Sequence, residues 1–527
     1  MTYERNDFWK VKGKYRITDT SDYTIWLSGV LSYGEKENDI SRFAYLFLNK
    51  MLDFNTVIGW YRIVIFDKKK TIWFFFGDNS NSQHFFYNEQ TGCFSDSLLY
   101  LKKMNANNRP NYTAIANLLG NGYMINKDTV VEGLCRTDKD CYYSFDLKET
   151  REYSKGIKPL NSIKAKQDVK SIICPISSQT NGNRTAAVCT GGTDSRVVIS
   201  GLNSLGYDGV EYVITGHEKN PDLKVASLIS KTLNKPLSII DPDVNDPDWL
   251  EKGFDFTDGE YDVVLSYRHY LKSLWEKEKG IEYEFGGLAG EFYKNVFCHP
   301  FMWLFKKKDS CFFYNVMLKN AISGQKWIGE NIKKAIDHNA GRLKSLANAV
   351  DYEQSLLEKG NRLGYDILSW KSGAITNGYS SVATKIDPLM DRQLCSSASH
   401  DNCLSHSMHM WQRKEINKYC KEISNLTTDQ GYNCSFKPLP FIRDCIKRIG
   451  FYIGRVFNRI RRRAGFGFKS LEQKYWDDDY CKARETEIWK KSLCFCKDSG
   501  IISNMVSDDE IPIKMTGWII LVGLLFC

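Results

Sequence analysis

The stretch at residues 185–202 constrains the fold of this chain more than any other part of its sequence. It opens with an apolar run at 185–189, which predicts a buried strand of a parallel sheet because it carries neither charge nor alternation. Two glycines follow, and apolar residues then recur at helical spacing behind Asp194 and Ser195, where we expect the helix N-cap. The stretch therefore predicts a strand, a glycine turn and a helix in direct succession.

The glycine turn predicts a phosphate-binding site. Backbone N–H groups at the start of a helix favour negative charge, and Gly191 and Gly192 let a phosphate approach the backbone closely. The Asp194 carboxylate would repel that phosphate unless a divalent cation lay between them, so the turn predicts a nucleotide bound with Mg²⁺. Taken alone, the same residues also fit a plain strand–turn–helix unit with a capping aspartate.

Strands and helices alternate from about residue 175 onward, which is typical of a parallel sheet covered by helices. Segments at 210–215, 236–241 and 281–285 predict three more strands of that sheet. Ligands of such sheets bind at the carboxyl ends of the strands. We therefore expect the residues that follow each strand to converge on one site.

The part from about residue 8 to 155 reads differently. Segments at 23–28, 57–67 and 71–77 are rich in β-branched and aromatic residues and predict strands, the last two forming a hairpin. At 527 residues the chain is long enough for two or three domains. We expect a β-rich domain ahead of the parallel-sheet domain.

These segments together resemble the asparagine synthetase family. Residues 190–195 (TGGTDS) are similar to the SGGxDS loop of ATP pyrophosphatases, residues 221–224 (PDLK) to the family's SPDLKxA, and residues 94–101 to FASELKAL of its class II glutamine amidotransferase domain. The resemblance implies an α/β fold in which an N-terminal Ntn-type amidotransferase-like sandwich precedes a parallel-sheet PP-loop synthetase domain, of the adenine nucleotide α-hydrolase-like type. The implied units are a degenerate amidotransferase-like domain (1–155), an ATP pyrophosphatase domain (156–435) and a basic C-terminal extension (436–527).

The resemblance also implies a second ligand-facing turn that starts at Gly286, where the family has SGEGSDE. Gly287 and Gly290 occupy the places of the family's first Glu and its Asp, so Glu291 either supplies the second carboxylate or caps the next helix. The family's catalytic lysine has no clear counterpart, and Lys414 is a weak candidate. The implied cofactors are ATP and Mg²⁺. Asp194 and Glu291 are the expected catalytic and metal-binding residues, and the expected nucleotide-binding residues are Thr190, Gly191, Gly192, Thr193, Asp194, Ser195, Ile214, Gly216, Gly286 and Gly287.

The N-terminal part departs from the family at the glutaminase nucleophile. That nucleophile is an N-terminal cysteine, whose α-amino group acts as the base. Residue 2 is Thr2, no cysteine precedes Cys93, and residues 76–82 lack the family's glutamine-binding arginine. We therefore expect no glutaminase activity, with free ammonia or a separate glutaminase supplying the nitrogen.

Much of the net charge of +9 lies in residues 441–469, where basic residues alternate with apolar ones at helical spacing. This pattern predicts a basic amphipathic helix that contacts an anionic membrane surface or an acidic partner, or that docks on the protein with its basic face in solvent. The remainder is nearly balanced, so no nucleic-acid partner is expected. Residues 518–527 are apolar but shorter than the roughly 20 needed to span a bilayer, and we expect them to be buried. No secretory signal is evident, which favours a cytoplasmic protein with peripheral contact at the inner membrane face.

The chain is thus predicted to be an ATP-dependent carbon–nitrogen ligase. It would activate a small-molecule carboxylate, aspartate or a related acid, as an acyl-adenylate with release of pyrophosphate, and then amidate it. One alternative is an amidotransferase acting on a uronic-acid sugar in surface-polysaccharide biosynthesis. The other is a catalytically inactive nucleotide-binding scaffold, which Gly287 and Gly290 favour.

Overall fold

The structure, a computed structural model, combines antiparallel sheets in the N-terminal part with a parallel five-stranded sheet later in the chain, so the protein is α/β. It describes residues 9–34, 37–105, 108–146, 149–162, 167–182, 184–217, 220–294, 314–348, 356–401, 403–439, 441–447, 450, 454 and 471–527. Thr2 and most of the basic segment 441–469 lie outside these ranges.

Two sheets form the N-terminal part, a six-stranded antiparallel sheet in the order β10-β9-β5-β4-β3-β2 and a four-stranded sheet in the order β1-β7-β6-β8. Their strands are β1 (Trp9–Lys10), β2 (Arg16–Asp19), β3 (Tyr23–Ser32), β4 (Ile58–Asp67), β5 (Ile72–Gly77), β6 (Phe86–Asn88), β7 (Phe94–Ser95), β8 (Leu134–Arg136), β9 (Cys141–Phe145) and β10 (Thr150–Ser154). The three predicted strands are confirmed as β3, β4 and β5. Phe75 of one sheet stacks on Phe94 of the other with ring centroids 4.1 Å apart, so aromatic side chains from both sheets share one core.

The parallel sheet has the order β13-β12-β11-β14-β15, and every neighbouring pair in it is parallel. Its strands are β11 (Thr185–Val188), β12 (Glu211–Thr215), β13 (Leu237–Ile240), β14 (Tyr283–Phe285) and β15 (Thr384–Ile386). The four predicted strands are confirmed as β11 to β14, and β15 is additional. After β11 the chain adds β12 and then β13 on one side of β11. It then adds β14 and β15 on the other side of β11. The carboxyl ends of β11 and β14 therefore flank the point where the strand order reverses, which is where such sheets bind ligands.

Helices cover the parallel sheet and form most of the last third of the chain. The α-helices are Ile40–Leu48, Leu98–Met104, Tyr112–Asn121, Val169–Ile173, Ser177–Thr180, Thr193–Ser204, Pro221–Leu233, Trp249–Phe256, Val263–Lys279, Glu330–Asn348, Leu356–Tyr379, Arg392–Ser399, Cys403–Ser407, Met410–Tyr419, Lys421–Ser424, Leu471–Arg484, Glu487–Asp498 and Thr516–Phe526. Apolar residues on Val169–Ile173 and Thr193–Ser204 pack with β11, β12 and β14 in one core, which holds the sheet edge in place.

A second core joins segments that are far apart in sequence. The helix Thr516–Phe526 is largely buried, as predicted, and the Trp518 ring lies 6.0 Å from that of Tyr261. Tyr480 donates a hydrogen bond to the buried Asp262 carboxylate at 3.0 Å. The same core includes residues of the N-terminal helix Tyr112–Asn121. Within the ranges given above, no helix is both long and apolar enough to cross a membrane.

Candidate functional site

The glycine turn connects β11 to the helix Thr193–Ser204 directly, as predicted. The expected N-cap position is wrong: the cap is Gly192, and Asp194 lies in the first helical turn. The reason is that the Ser195 hydroxyl is used within the turn, where it accepts the Thr190 N–H at 3.2 Å and lies 3.0 Å from the Thr190 hydroxyl. These contacts close residues 190–195 into a compact loop.

Position 191 must be glycine because two neighbouring segments lie too close to the loop to leave room for a side chain. A Cβ atom at this position would lie 2.4 Å from Asp222 Oδ1 and 2.9 Å from Asp429 Cβ, closer than side chains approach. Its N–H donates to Asp222 Oδ1 at 3.1 Å. Asp222, the second residue of the helix Pro221–Leu233, therefore holds the loop at the sheet edge.

Arg196 fixes the loop from inside the protein. Its side chain is fully buried, and its guanidinium donates to the backbone carbonyls of Ile423, Leu426 and Thr427 at 3.3, 2.6 and 2.9 Å. It also reaches the Gly191 carbonyl at 3.4 Å. Arg196 thus ties the loop to the segment 423–427.

The open side of the loop has the character of an anion site. Gly192 is half-buried, and a Cβ atom there would meet nothing closer than Thr190 Oγ1 at 3.6 Å. The N–H groups of Thr193, Asp194 and Ser195 have no acceptor among the described residues. Unsatisfied N–H groups at a helix start favour a phosphate or carboxylate group.

The second predicted turn lies directly against the first. Gly286 continues from β14 and donates its N–H to the Ile386 carbonyl at 2.8 Å. A Cβ atom on Gly287 would lie 2.9 Å from the Ser195 nitrogen, and one on Gly290 would lie 2.0 Å from Asp194 Cγ. Gly287 and Gly290 are thus positions where the two turns touch.

Two donors that the sequence did not reveal hold the Asp194 carboxylate. Lys294 Nζ lies 2.6 Å from Oδ2, and the amide of the buried Gln412 donates to Oδ1. Burial raises the pKa of Asp194 and the nearby Glu291 carboxylate adds to the rise, whereas Lys294 opposes it. Burial also disfavours the charged form of Lys294, but the Asp194 carboxylate outweighs that effect and raises the lysine pKa. The pair is therefore an ion pair with a buried amide at its side.

This donor set can be compared with the needs of Mg²⁺, which takes a near-octahedral set of oxygens from one or two carboxylates and from phosphates. Both oxygens of Asp194 already accept hydrogen bonds, one of them from an ammonium group. Gly287 and Gly290 offer no carboxylate, and the contacts above leave no space for one. As arranged, these residues do not fit a divalent ion bound to Asp194, and the Mg²⁺ expectation stays a prediction.

Ile214 and Gly216, two of the residues expected to bind the nucleotide, lie at the end of β12, next to the end of β13. Ile214 is buried, and Gly216 donates its N–H to the Ile240 carbonyl at 3.0 Å. His217 follows, with Nδ1 3.5 Å from an Asp241 oxygen and 3.3 Å from an Asp243 oxygen. Both aspartates are exposed, and exposed carboxylates often gather without binding an ion, so this trio alone defines no metal centre.

A network of buried charged side chains holds the second turn against the parallel sheet. Glu284 of β14 is fully buried, accepts Lys272 Nζ at 2.8 Å and forms an ion pair with Lys385 of β15. Asp387, just beyond β15, accepts the Leu288 N–H at 3.1 Å. The turn is therefore tied to the sheet through charged groups as well as through backbone.

The weak candidate for a catalytic lysine lies elsewhere. Lys414 is exposed on the helix Met410–Tyr419, whereas Gln412 of the same helix is buried and contacts Asp194. The lysine at the site is Lys294, three residues after Glu291. No local pattern in the sequence marks Lys294 as a partner of Asp194, because the two residues lie 100 positions apart and meet only through the fold.

Neither a scan against protein-family models nor a search of curated proteins gave a match for this chain. The sequence motifs at 190–195 and 286–291 and the geometry of these two turns are therefore what indicates its function.

Proposed function

We propose that the protein is an ATP-dependent amidoligase of asparagine synthetase type. It activates a carboxylate, aspartate or a related acid, as an acyl-adenylate with release of pyrophosphate, and amidates it without a glutaminase of its own. The observation that carries this proposal is the pair of glycine turns, 190–195 and 286–291, which meet at the reversal point of the parallel sheet with unsatisfied helix N–H groups between them.

The described residues have distinct tasks in this proposal. The N–H groups of Thr193, Asp194 and Ser195 bind the phosphate chain, and the ends of β12 and β13 receive the adenine. An oxygen of the substrate carboxylate attacks the α-phosphorus, and the bond from that phosphorus to the bridging oxygen breaks to release pyrophosphate. Ammonia then attacks the acyl carbon, loses a proton and displaces AMP. Glu291 is the candidate base for that proton, because it is the remaining carboxylate of the second turn.

Carboxylate-dependent release of pyrophosphate tests the proposal. Purified protein is given ATP and a panel of carboxylates that includes aspartate and a uronic acid, with and without added Mg²⁺. Asp194→Ala should abolish release, whereas Asp208→Ala, which changes a highly exposed aspartate on the protein surface, should not. Normal release by Asp194→Ala would contradict the assignment.

The nitrogen source is tested with the same protein. Ammonium should support amide formation and glutamine should not, because the family's nucleophilic cysteine is absent. Production of glutamate from glutamine that is lost in Thr2→Ala would overturn this part of the proposal.

A nucleotide-binding scaffold without turnover is the second candidate. The observation that favours it is the engagement of both Asp194 oxygens by Lys294 and Gln412, together with the missing carboxylates at positions 287 and 290. ATP binding without pyrophosphate release across the whole carboxylate panel would support the scaffold over the ligase.

A further inference from the structure

The backbone of the second turn and the single 3₁₀ turn that follows it position Lys294 at the site. The second turn passes through Ala289, which adopts a left-handed conformation with φ of 68°, and enters a single 3₁₀ turn, Gly290–Tyr293. Lys294 follows as its C-cap and donates its N–H to the Glu291 carbonyl at 3.1 Å. The backbone of the second turn therefore sets where the lysine ammonium lies.

The ammonium has capacity left for a further anion. It carries three N–H donors, and its one acceptor among the described residues is Asp194 Oδ2 at 2.6 Å. The Lys294 side chain is about one-fifth exposed, so the group is neither sealed in the core nor free in solvent. Asp194 belongs to the helix turn whose N–H groups are unsatisfied, which puts the lysine charge beside them.

Positions 287 and 290 have no side chain that could compete with the Lys294 ammonium for Asp194. A side chain at Gly290 would overlap the Asp194 carboxylate, and one at Gly287 would overlap the backbone of the same helix turn. The amide of Gln412 donates a hydrogen bond to the other oxygen of Asp194, Oδ1. Positions 287 and 290 supply no carboxylate, and the Asp194 carboxylate is already paired with the Lys294 ammonium.

We infer that the Lys294 ammonium, held in place by Asp194, is the cation that this chain presents to the phosphates of ATP, so that the nucleotide binds without a divalent ion. The inference rests on the proposed nucleotide site and goes beyond it, because it names the charge that offsets the triphosphate. Lysine is a well-suited point charge for phosphate, and a carboxylate partner restricts its position before the ligand arrives.

The test measures ATP binding by isothermal titration calorimetry, first in EDTA and then in excess Mg²⁺. Wild-type affinity should agree within about threefold between the two conditions. Lys294→Met should weaken binding in EDTA by about tenfold to a hundredfold, because it removes a charged hydrogen-bond donor. The same substitution at the exposed Lys231 should leave both affinities unchanged.

A conservative variant guards against loss of folding. Lys294→Arg keeps the charge and should retain most of the binding in EDTA, and circular dichroism checks that each variant is folded. Wild-type binding that requires Mg²⁺ would overturn the inference and leave the proposed function standing, and so would unchanged binding by folded Lys294→Met. No ATP binding by the wild type in either condition would refute the proposed function as well.

Discussion

Gly290→Ala is the most direct test of how closely the two turns approach. A Cβ atom at position 290 would lie 2.0 Å from Asp194 Cγ and 2.3 and 2.4 Å from its two oxygens, so the whole carboxylate would have to move. That movement breaks the 2.6 Å ion pair with Lys294 and the hydrogen bond from Gln412. Overpacking costs about 1–3 kcal/mol and a lost charged hydrogen bond about 1.5–3 kcal/mol, so we expect the free energy of unfolding to fall by about 2.5–6 kcal/mol.

Urea denaturation followed by tryptophan fluorescence measures this loss, and calorimetry in EDTA should show at least a tenfold weaker affinity for ATP. Gly209→Ala is the matched control, because a Cβ atom there meets nothing within 4 Å. A Gly290→Ala protein within about 0.5 kcal/mol of the wild type, the usual range for surface substitutions, would refute the contact between the turns.

Two further substitutions test the charged groups around the site. Glu284→Gln removes the buried Glu284 carboxylate from Lys272 and Lys385 and should lower the free energy of unfolding by about 3–5 kcal/mol. The control Glu282→Gln changes an exposed residue and should have little effect. Equal losses of stability for the two variants in urea denaturation would argue against the network. Burial raises the pKa of Asp262 to about 7 from an ordinary 3.8. The folded state therefore keeps a proton that the unfolded state releases, and stability falls as the pH rises from about 4 to about 7. Asp262→Asn should remove up to about 4 kcal/mol of that fall, and an unchanged pH dependence of unfolding would contradict the assigned burial.

The parallel sheet and its ligand edge could be predicted because their signals are local. The strand segments at 185–189 and 281–285 alternate with helical segments, as in a parallel sheet, and the residues after them, 190–195 and 286–291, carry the glycines that a close backbone approach requires. Lys294 and Gln412 could not be placed, since they lie 100 and 218 residues from Asp194 and meet it only through the tertiary fold. The helix start differed from the prediction for a local reason, because the Ser195 hydroxyl contacts Thr190 rather than capping the helix.

The helix Thr516–Phe526 has a consequence for how the chain is made. Its Trp518 packs against Tyr261 and shares a core with the helix Tyr112–Asn121. A ribosome releases residues around 115 long before those around 520, so the N-terminal part emerges with apolar surface that its partner is not yet available to cover. Such surface promotes aggregation until it is buried. Folding of this core is therefore completed only after synthesis has passed the last of these helices, and the nascent chain depends on protection of that surface until then.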